Sequence, residues 1–397
     1  MIIELIIALA VGVLIGTLTG LTPGLHINLA VPLIFFLISP FNILPLALVV
    51  FIVSLSIAHT FIDFIPSIFL GAPNEDTSLS ILPGHSLLLE GKGYQALVYC
   101  FCGCILGIFS LLILLPFFLF LMPQIYLYLK PVMFFILIFT IFYLTIREQK
   151  PFLSLLIFLL SGFLGLSLLN LEINSLLPLL SGLFGSSSII ISLKQKTKIP
   201  KQEISPLKQI SPSKHELKIS FLSALLSSPL CSFLPALGSN QAAVISSDIV
   251  EEKNQKTFLL MLGSINVLAM SLSFITLYAI GKTRTGSAVF ISNLLPKITF
   301  SSLMIILLAV ILSGIFSFII AISLSKFFAN RISKINYRLI SIIVLIFISL
   351  LILLFSGFLG FFIFTISTLI GIFAVLLNVR RTSLMGCLML PTIIFYL

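Results

Sequence analysis

Gly20-Leu21-Thr22-Pro23-Gly24-Leu25-His26-Ile27-Asn28-Leu29-Ala30 interrupts a hydrophobic segment that otherwise runs unbroken from the amino terminus. Pro23 removes a backbone donor, the flanking glycines accept non-helical dihedrals, and His26 and Asn28 bring polar side chains to a depth where hydrocarbon tolerates none. Such a break survives inside a bilayer only where protein or a water-filled cavity covers the freed backbone groups. The pattern returns as Ser232-Phe233-Leu234-Pro235-Ala236-Leu237-Gly238-Ser239-Asn240-Gln241-Ala242, with Pro23 aligned to Pro235, Leu25 to Leu237, Asn28 to Asn240 and Ala30 to Ala242. Two matching broken helices, one in each half, are the pattern by which secondary transporters build a binding site near the bilayer midplane.

Composition puts the whole chain in a membrane. Of 397 residues, 59% are hydrophobic and only 9% charged, and the mean hydropathy of +1.27 is beyond any soluble domain of this length. The net charge of +10 is spread in short clusters between apolar runs, as in cytoplasmic loops, which argues against a nucleic-acid partner. The amino terminus has no basic n-region and no A-x-A-like cleavage site, so residues 1–20 are expected to stay as the first membrane element. Cys100, Cys102 and Cys104 have neither CxxC nor metal-ligand spacing and read as small buried hydrophobes. Tryptophan is absent, so Tyr94, Tyr126, Tyr128, Tyr143 and Tyr337, at the ends of apolar runs, are expected to form the interfacial belt.

Outward from the first break, Gly12, Gly16 and Gly20 form a small-xxx-small stripe suited to close helix packing. Residues 29–38 are too short to cross alone, since a span takes about 20 apolar residues, and 1–40 reads as a helix, a turn and a half-helix. Residues 43–70 are long enough to cross and carry His59 and Asp63 four apart on one face. The polar run Gly71-Ala72-Pro73-Asn74-Glu75-Asp76-Thr77-Ser78-Leu79-Ser80 follows, then apolar runs at 95–121, 131–146, 151–169 and 175–193. Residues 194–218 hold seven lysines and three prolines with too few apolar residues to fold alone, and read as a solvated linker. Beyond it the order repeats: a broken segment at 219–250, a helix at 256–280, Gly281-Lys282-Thr283-Arg284-Thr285-Gly286-Ser287-Ala288, and apolar runs at 298–325, 339–357, 359–378 and 384–397.

The expected fold is an all-α polytopic membrane protein of about 10–12 membrane segments. Residues 1–193 form a first transmembrane repeat, 194–218 a basic cytoplasmic linker and 219–397 a second transmembrane repeat. With 194–218 inside, the run at 95–121 travels outward, whereas its counterpart at 298–325 ends at the basic residues Lys326, Arg331, Lys334 and Arg338 and travels inward. The repeats are therefore expected to be inverted, with both termini outside.

No GxSxG, HExxH or complete GxxxxGK[ST] motif occurs, so neither a covalent nor an ATP-driven mechanism has visible residues, and no enzyme activity or cofactor is expected. The candidate substrate-binding residues are Pro23, Gly24, His26, Asn28, Thr77, Ser78, Pro235, Ser239, Asn240, Arg284, Thr285 and Ser287. Half-helix amino termini favour anions, and the planar guanidinium of Arg284 suits a carboxylate. Asn74, Glu75, Asp76, His59 and Asp63 are the candidate ion-coupling residues, with Na⁺ near Glu75 and Asp76 one option and a proton another. Such a site suits co-transport of a small organic anion with H⁺ or Na⁺ across the cytoplasmic membrane; a channel or a non-transporting scaffold is the alternative.

At these residues the chain resembles the large membrane subunit of the tripartite tricarboxylate transporters, the TctA-type permeases, in a divergent, archaeal-like form. The family signature, roughly G-I-P-G-T-P-[AS]-A-V-A-T-x-x-D-G-Y-P and a K/G-rich turn, is similar to Gly71-Ala72-Pro73 through Leu82-Pro83-Gly84-His85 and on to Gly91-Lys92-Gly93-Tyr94-Gln95-Ala96-Leu97. Its P-G-x-G/H-type loop resembles Thr22-Pro23-Gly24-Leu25-His26 and Leu234-Pro235-Ala236-Leu237-Gly238, and Pro178 to Gly185 resembles a segment that closes the first half. Asn74-Glu75-Asp76 stands where the family has small neutral residues, and Gly281-Lys282-Thr283-Arg284 where it repeats Gly-Ile-Pro-Gly. The resemblance implies a secondary carrier of two inverted repeats for an organic anion, with a small membrane subunit and an extracytoplasmic binding protein as partners; a homodimer is one candidate assembly.

Overall fold

A backbone surrounded by hydrocarbon must close its own hydrogen bonds, and a chain this apolar has the α-helix as its local means of doing so. The computed structural model describes residues 2–22, 27, 31, 43–71, 81–168, 171, 175–194, 199–233, 237–252, 254–283, 285–333 and 337–397. The first half contains α1 (Ile2–Leu21), α2 (Pro45–Ile62), α3 (Phe64–Leu70), α4 (Ile81–Leu89), α5 (Gly93–Phe120), α6 (Met122–Leu129), α7 (Met133–Ile146), α8 (Pro151–Leu168), α9 (Leu176–Leu180) and α10 (Ser187–Lys194). The second contains α11 (Leu207–Ile210), α12 (Lys214–Phe233), α13 (Ser239–Ile249), α14 (Gln255–Ile280), α15 (Gly286–Leu294), α16 (Phe300–Ile332), α17 (Tyr337–Leu376) and α18 (Gly386–Phe395). Among the described residues nine helices are long and apolar enough to cross a bilayer.

The most enclosed of these spans are Pro45–Leu70 and Gln255–Ile280, which form the centre of the molecule. Around them the packing recurs between the halves. Helix α1 lies along α2, and α12 lies along α14; α5 packs on α14, and α16 on α2; α8 packs on α18, and α17 on the α9–α10 segment. Contacts this close need small residues. A Cβ on Gly16 would stand 2.4 Å from the Leu55 carbonyl oxygen, and Cβ atoms on Gly107 and Gly263 would stand 2.4 Å from Ser264 O and 2.1 Å from Cys100 O. The outward face of α1, with Ile3, Ile6, Leu14 and Leu18, is left exposed to lipid.

Some boundaries differ from those the apolar runs suggest. Pro123 to Lys130, a separator in the sequence, is helical, because Pro123 sits in the opening turn of α6 where its missing N–H costs nothing. Gly357, at φ 64°, breaks α17 at the point where two apolar runs meet. Helix α12 begins at Lys214, inside the lysine-rich stretch, on a reciprocal cap: Ser213 N–H donates to Glu216 Oε2 (2.7 Å) and Glu216 N–H donates to Ser213 Oγ (3.2 Å). Tyr94 is fully buried rather than part of an interfacial belt.

The lysine-rich stretch is also tied down. Gly93 N–H donates to Gln202 Oε1 at 2.8 Å, Gln202 Nε2 donates to Leu88 O at 3.0 Å, and Glu203 N–H donates to Gly91 O at 2.8 Å. A short charge cluster joins three further segments: Arg147 Nε stands 4.0 Å from Asp248 Oδ2, Arg380 Nε 3.6 Å from Glu148 Oε1, and Lys150 Nζ donates to Leu377 O. Burial pushes the Glu148 carboxyl above its ordinary 4.5, Arg380 pulls it back in part, and Asp248 adds to the rise.

Two outcomes follow from this packing. Gly16→Leu should cost at least about 1–3 kcal/mol by overpacking a backbone contact, read as a lower melting temperature in detergent; an unchanged melting temperature would contradict the helix pairing. Because the folded state raises the Glu148 pKa, its contribution is complete below the unfolded value and is lost as pH rises through the folded one. Glu148→Gln should therefore gain stability relative to wild type as pH rises from 4.5 towards neutrality, and a pH-independent difference would count against the assignment.

Candidate functional site

Helices α2 and α14 are apolar runs that carry polar residues at their enclosed centres. On α2 these are Ser54, Ser56, His59, Thr60 and Asp63, and on α14 Ser264, Asn266, Ser271, Ser273 and Thr276, all buried. Several hydroxyls close back on their own helix: Ser56 on Ile52 O, Thr60 on Ser56 O, Ser271 on Val267 O and Thr276 on Leu272 O. Others join elements. His59 Nδ1 stands 3.0 Å from Thr19 Oγ1, which fixes the imidazole against α1. Asp63, four residues on, is buried at the junction of α2 and α3, where its backbone N–H donates to His59 O.

The second half meets this group through α15. Thr285 caps that helix by accepting from Ala288 N at 3.2 Å, and its Oγ1 lies 3.1 Å from Ser273 Oγ of α14. Two residues later Ser287 Oγ reaches Ser56 Oγ at 2.7 Å. Both hydroxyls are fully buried, so a residue from each half meets one turn from His59. Two turns earlier on α14, Ser239 Oγ donates to Asn266 Oδ1 at 3.1 Å, which anchors the opening turn of α13, and Asn240 beside it is buried.

Of the residues expected to bind substrate, Ser239, Asn240, Thr285 and Ser287 are thus buried or half-buried around α14 and α2, as are the ion-coupling candidates His59 and Asp63. Pro23, Gly24, His26, Asn28, Asn74, Glu75, Asp76, Thr77, Ser78, Pro235 and Arg284 lie outside the described residues. Lys282, next to Arg284, is held elsewhere: its Nζ donates to Tyr396 OH at 3.2 Å and stands 4.7 Å from the Tyr126 ring centre. Burial works against that charge, but the Tyr126 and Tyr396 side chains outweigh it and hold the ammonium above its ordinary range. No group of three or more His, Cys, Asp or Glu side chains able to hold a metal occurs among the described residues.

Sequence reasoning passed over Ser56, Asn266 and Ser273, which look like ordinary helix residues until tertiary contacts place them. It also passed over Gln241, which is fully buried with neither Nε2 nor Oε1 hydrogen-bonded among the described residues. Each unpaired atom of that kind costs roughly 1–3 kcal/mol. The polarity of Gln241 and its place one residue from Asn240 were the available signals. A groove of about 710 Å³ between α1 and α2 is separate from these groups; Ile7, Val11, Leu48 and Phe51 make it apolar, which suits lipid contact rather than an anion.

An all-helical membrane protein with a buried polar centre drawn from both halves of the chain has the architecture of a polytopic carrier. The tripartite tricarboxylate transporter TctA family profile matches residues 6–386, and the chain belongs to that family. It is a family of transporter permease subunits, not of enzymes. The chain is also 32% identical over 380 residues to the uncharacterized protein MJ1079 of Methanocaldococcus jannaschii, covering 91% of each. No solved structure matches.

The Ser56–Ser287 contact offers a direct check on the meeting of the halves. A double-mutant cycle of Ser56→Ala and Ser287→Ala, followed by unfolding in detergent, should give a coupling of about 0.6–1.7 kcal/mol. Strict additivity would show that the two hydroxyls do not interact.

Proposed function

We propose that the protein is a secondary carrier of the cytoplasmic membrane that moves a small, carboxylate-bearing organic anion together with H⁺ or Na⁺. The observation that carries this reading is the Ser56–Ser287 junction, where buried polar residues of both halves meet between the two most enclosed helices. Intramembrane polar groups are expensive and serve substrate or ion pathways by default. The matching pairs α1 with α2 and α12 with α14, and the exchanged pairs α5 with α14 and α16 with α2, support two inverted repeats, 1–193 and 219–397, joined by 194–218.

Arg284 is the proposed carboxylate partner, with Thr285 and Ser287 beside it, and Glu75 or Asp76 the proposed coupling group; His59 and Asp63 could relay a proton. Pro23, Gly24, His26, Asn28, Thr77 and Ser78 would complete the site from the first half, and Pro235, Ser239 and Asn240 from the second. The word tripartite in the family's description supports partner subunits, for which a small membrane subunit and an extracytoplasmic binding protein are the proposed candidates.

Proteoliposomes loaded under separate Na⁺ and pH gradients test this with labelled citrate and succinate. Gradient-dependent uptake is expected in wild type, a loss of at least about tenfold in Arg284→Ala, and gradient-independent exchange in Glu75→Gln/Asp76→Asn. Uptake linear in concentration without saturation would identify a channel instead, and wild-type uptake by Arg284→Ala would remove that residue from the site.

A further inference from the structure

Two adjacent arginines meet different surroundings where the chain enters its last helix. Arg380 stands beside the Glu148 carboxylate, as Arg147 stands beside Asp248. Arg381 is part-buried and pairs with no carboxylate among the described residues; its partners are both neutral, the Phe184 carbonyl at 3.2 Å and the Ser188 hydroxyl. A guanidinium does not shed its proton to escape such surroundings, so its charge stays where water is scarce and nothing opposite balances it.

The fork of Arg381 is held by one nitrogen. Nη1 donates to Phe184 O and Ser188 Oγ, and Ser188 Oγ donates in turn to Phe184 O at 2.5 Å, a closed triangle that sets the direction of the guanidinium. Phe184 belongs to the π-turn at 181–186, a rare departure from the α-helix that recurs at functional sites. Of the five guanidinium donors, those on Nε and Nη2 meet no acceptor among the described residues, and neither nitrogen is sealed inside the protein. Nε and Nη2 form the side edge of the fork, which meets two oxygens of one carboxylate or phosphate through parallel hydrogen bonds. Phe184 and Ser188 lie in the segment that closes the first half, and Arg381 directly precedes α18, which closes the second. The spare edge therefore belongs to a junction between the halves, on helices other than α2 and α14.

We propose that Arg381 binds an oxyanion, its Nε–Nη2 edge taking a carboxylate or phosphate group where the two closing segments meet. Two sources carry that chemistry: a dissolved acid, and the phosphate of an anionic lipid headgroup. Ser188 and the Phe184 carbonyl are positioning groups, which hold Nη1 and leave the other edge open. The inference does not depend on the carrier reading.

Phenylglyoxal labelling of the purified wild-type chain, read at each arginine by mass spectrometry, tests this without a variant. The additions are citrate, phosphatidylglycerol, and sodium chloride at matched ionic strength, and Arg331, exposed over the Phe327 ring, is the internal reference. Citrate or phosphatidylglycerol should slow labelling at Arg381 and leave Arg331 unchanged. Slowing by citrate alone assigns the seat to a dissolved acid, slowing by phosphatidylglycerol alone assigns it to a lipid headgroup, and slowing by both shows that it accepts either. An Arg381 that resists labelling in the unliganded protein, equal slowing at both arginines, equal slowing by chloride, or no slowing would each overturn the proposal. Arg381→Lys keeps the charge and loses the fork. In that variant the anion concentration at the midpoint of the ligand-induced rise in melting temperature should increase at least about tenfold, and an unchanged midpoint would also overturn the proposal.

Discussion

A polar group in the membrane-spanning helices has to look for its partner inside the protein, because hydrocarbon supplies none. The constraint acts first on the backbone, which it makes helical, and then on side chains. Ser56, Thr60, Ser271 and Thr276 answer it locally by bonding to their own helix. Arg381 answers it at long range: its Nη1 donates to Phe184 O and Ser188 Oγ, where residues 181–186 loosen into a π-turn and present a carbonyl to the neighbouring segment. Glycine contributes from the other direction. Where Gly16, Gly107 and Gly263 remove a side chain, one helix comes within reach of another helix's backbone.

The same constraint separates structural polarity from functional polarity. Lys282 is held away from the central helices, where its ammonium donates to the Tyr396 hydroxyl and stands over the Tyr126 ring. The serines of α2 and α14 divide between back-bonds and cross-links, of which Ser56 with Ser287 and Ser273 with Thr285 tie the α15 segment to both central helices. Buried side-chain polar atoms without a hydrogen bond among the described residues are most frequent on α12 and α13.

The architecture was legible to the extent that it depends on local rules. Apolar length and the lack of charge specify membrane helices, the Gly12-Gly16-Gly20 stripe specifies a close helix contact, and Gly357 marks a break. The Ser213–Glu216 cap on α12 was also written in the sequence, as Ser-x-x-Glu, and the density of lysine around it hid the signal. Tyr94 was misread for a related reason: proximity to Lys92 suggested an interface, whereas burial depends on which helix stands opposite. Of the polar residues gathered around α2 and α14, Ser239, Asn240, Thr285 and Ser287 drew notice through the repeated motif and the aligned polar run. Ser56 and Asn266 could not, because a single polar residue in an apolar helix gives no indication of what it faces.

Gln202 shows how far the polar constraint reaches beyond the membrane helices. The turn between α4 and α5 presents the Leu88 carbonyl and the Gly93 N–H, and the Gln202 amide donates to the first and accepts from the second, while Glu203 N–H meets the Gly91 carbonyl. A stretch whose composition calls for solvation is thereby fixed at Gln202 and Glu203 to the turn ahead of α5, and Ile210, shortly before α12, buries itself in the same core. A connector that merely joined two repeats would gain nothing from this. Fixing it ties the stretch that leads into α12 to the turn between α4 and α5.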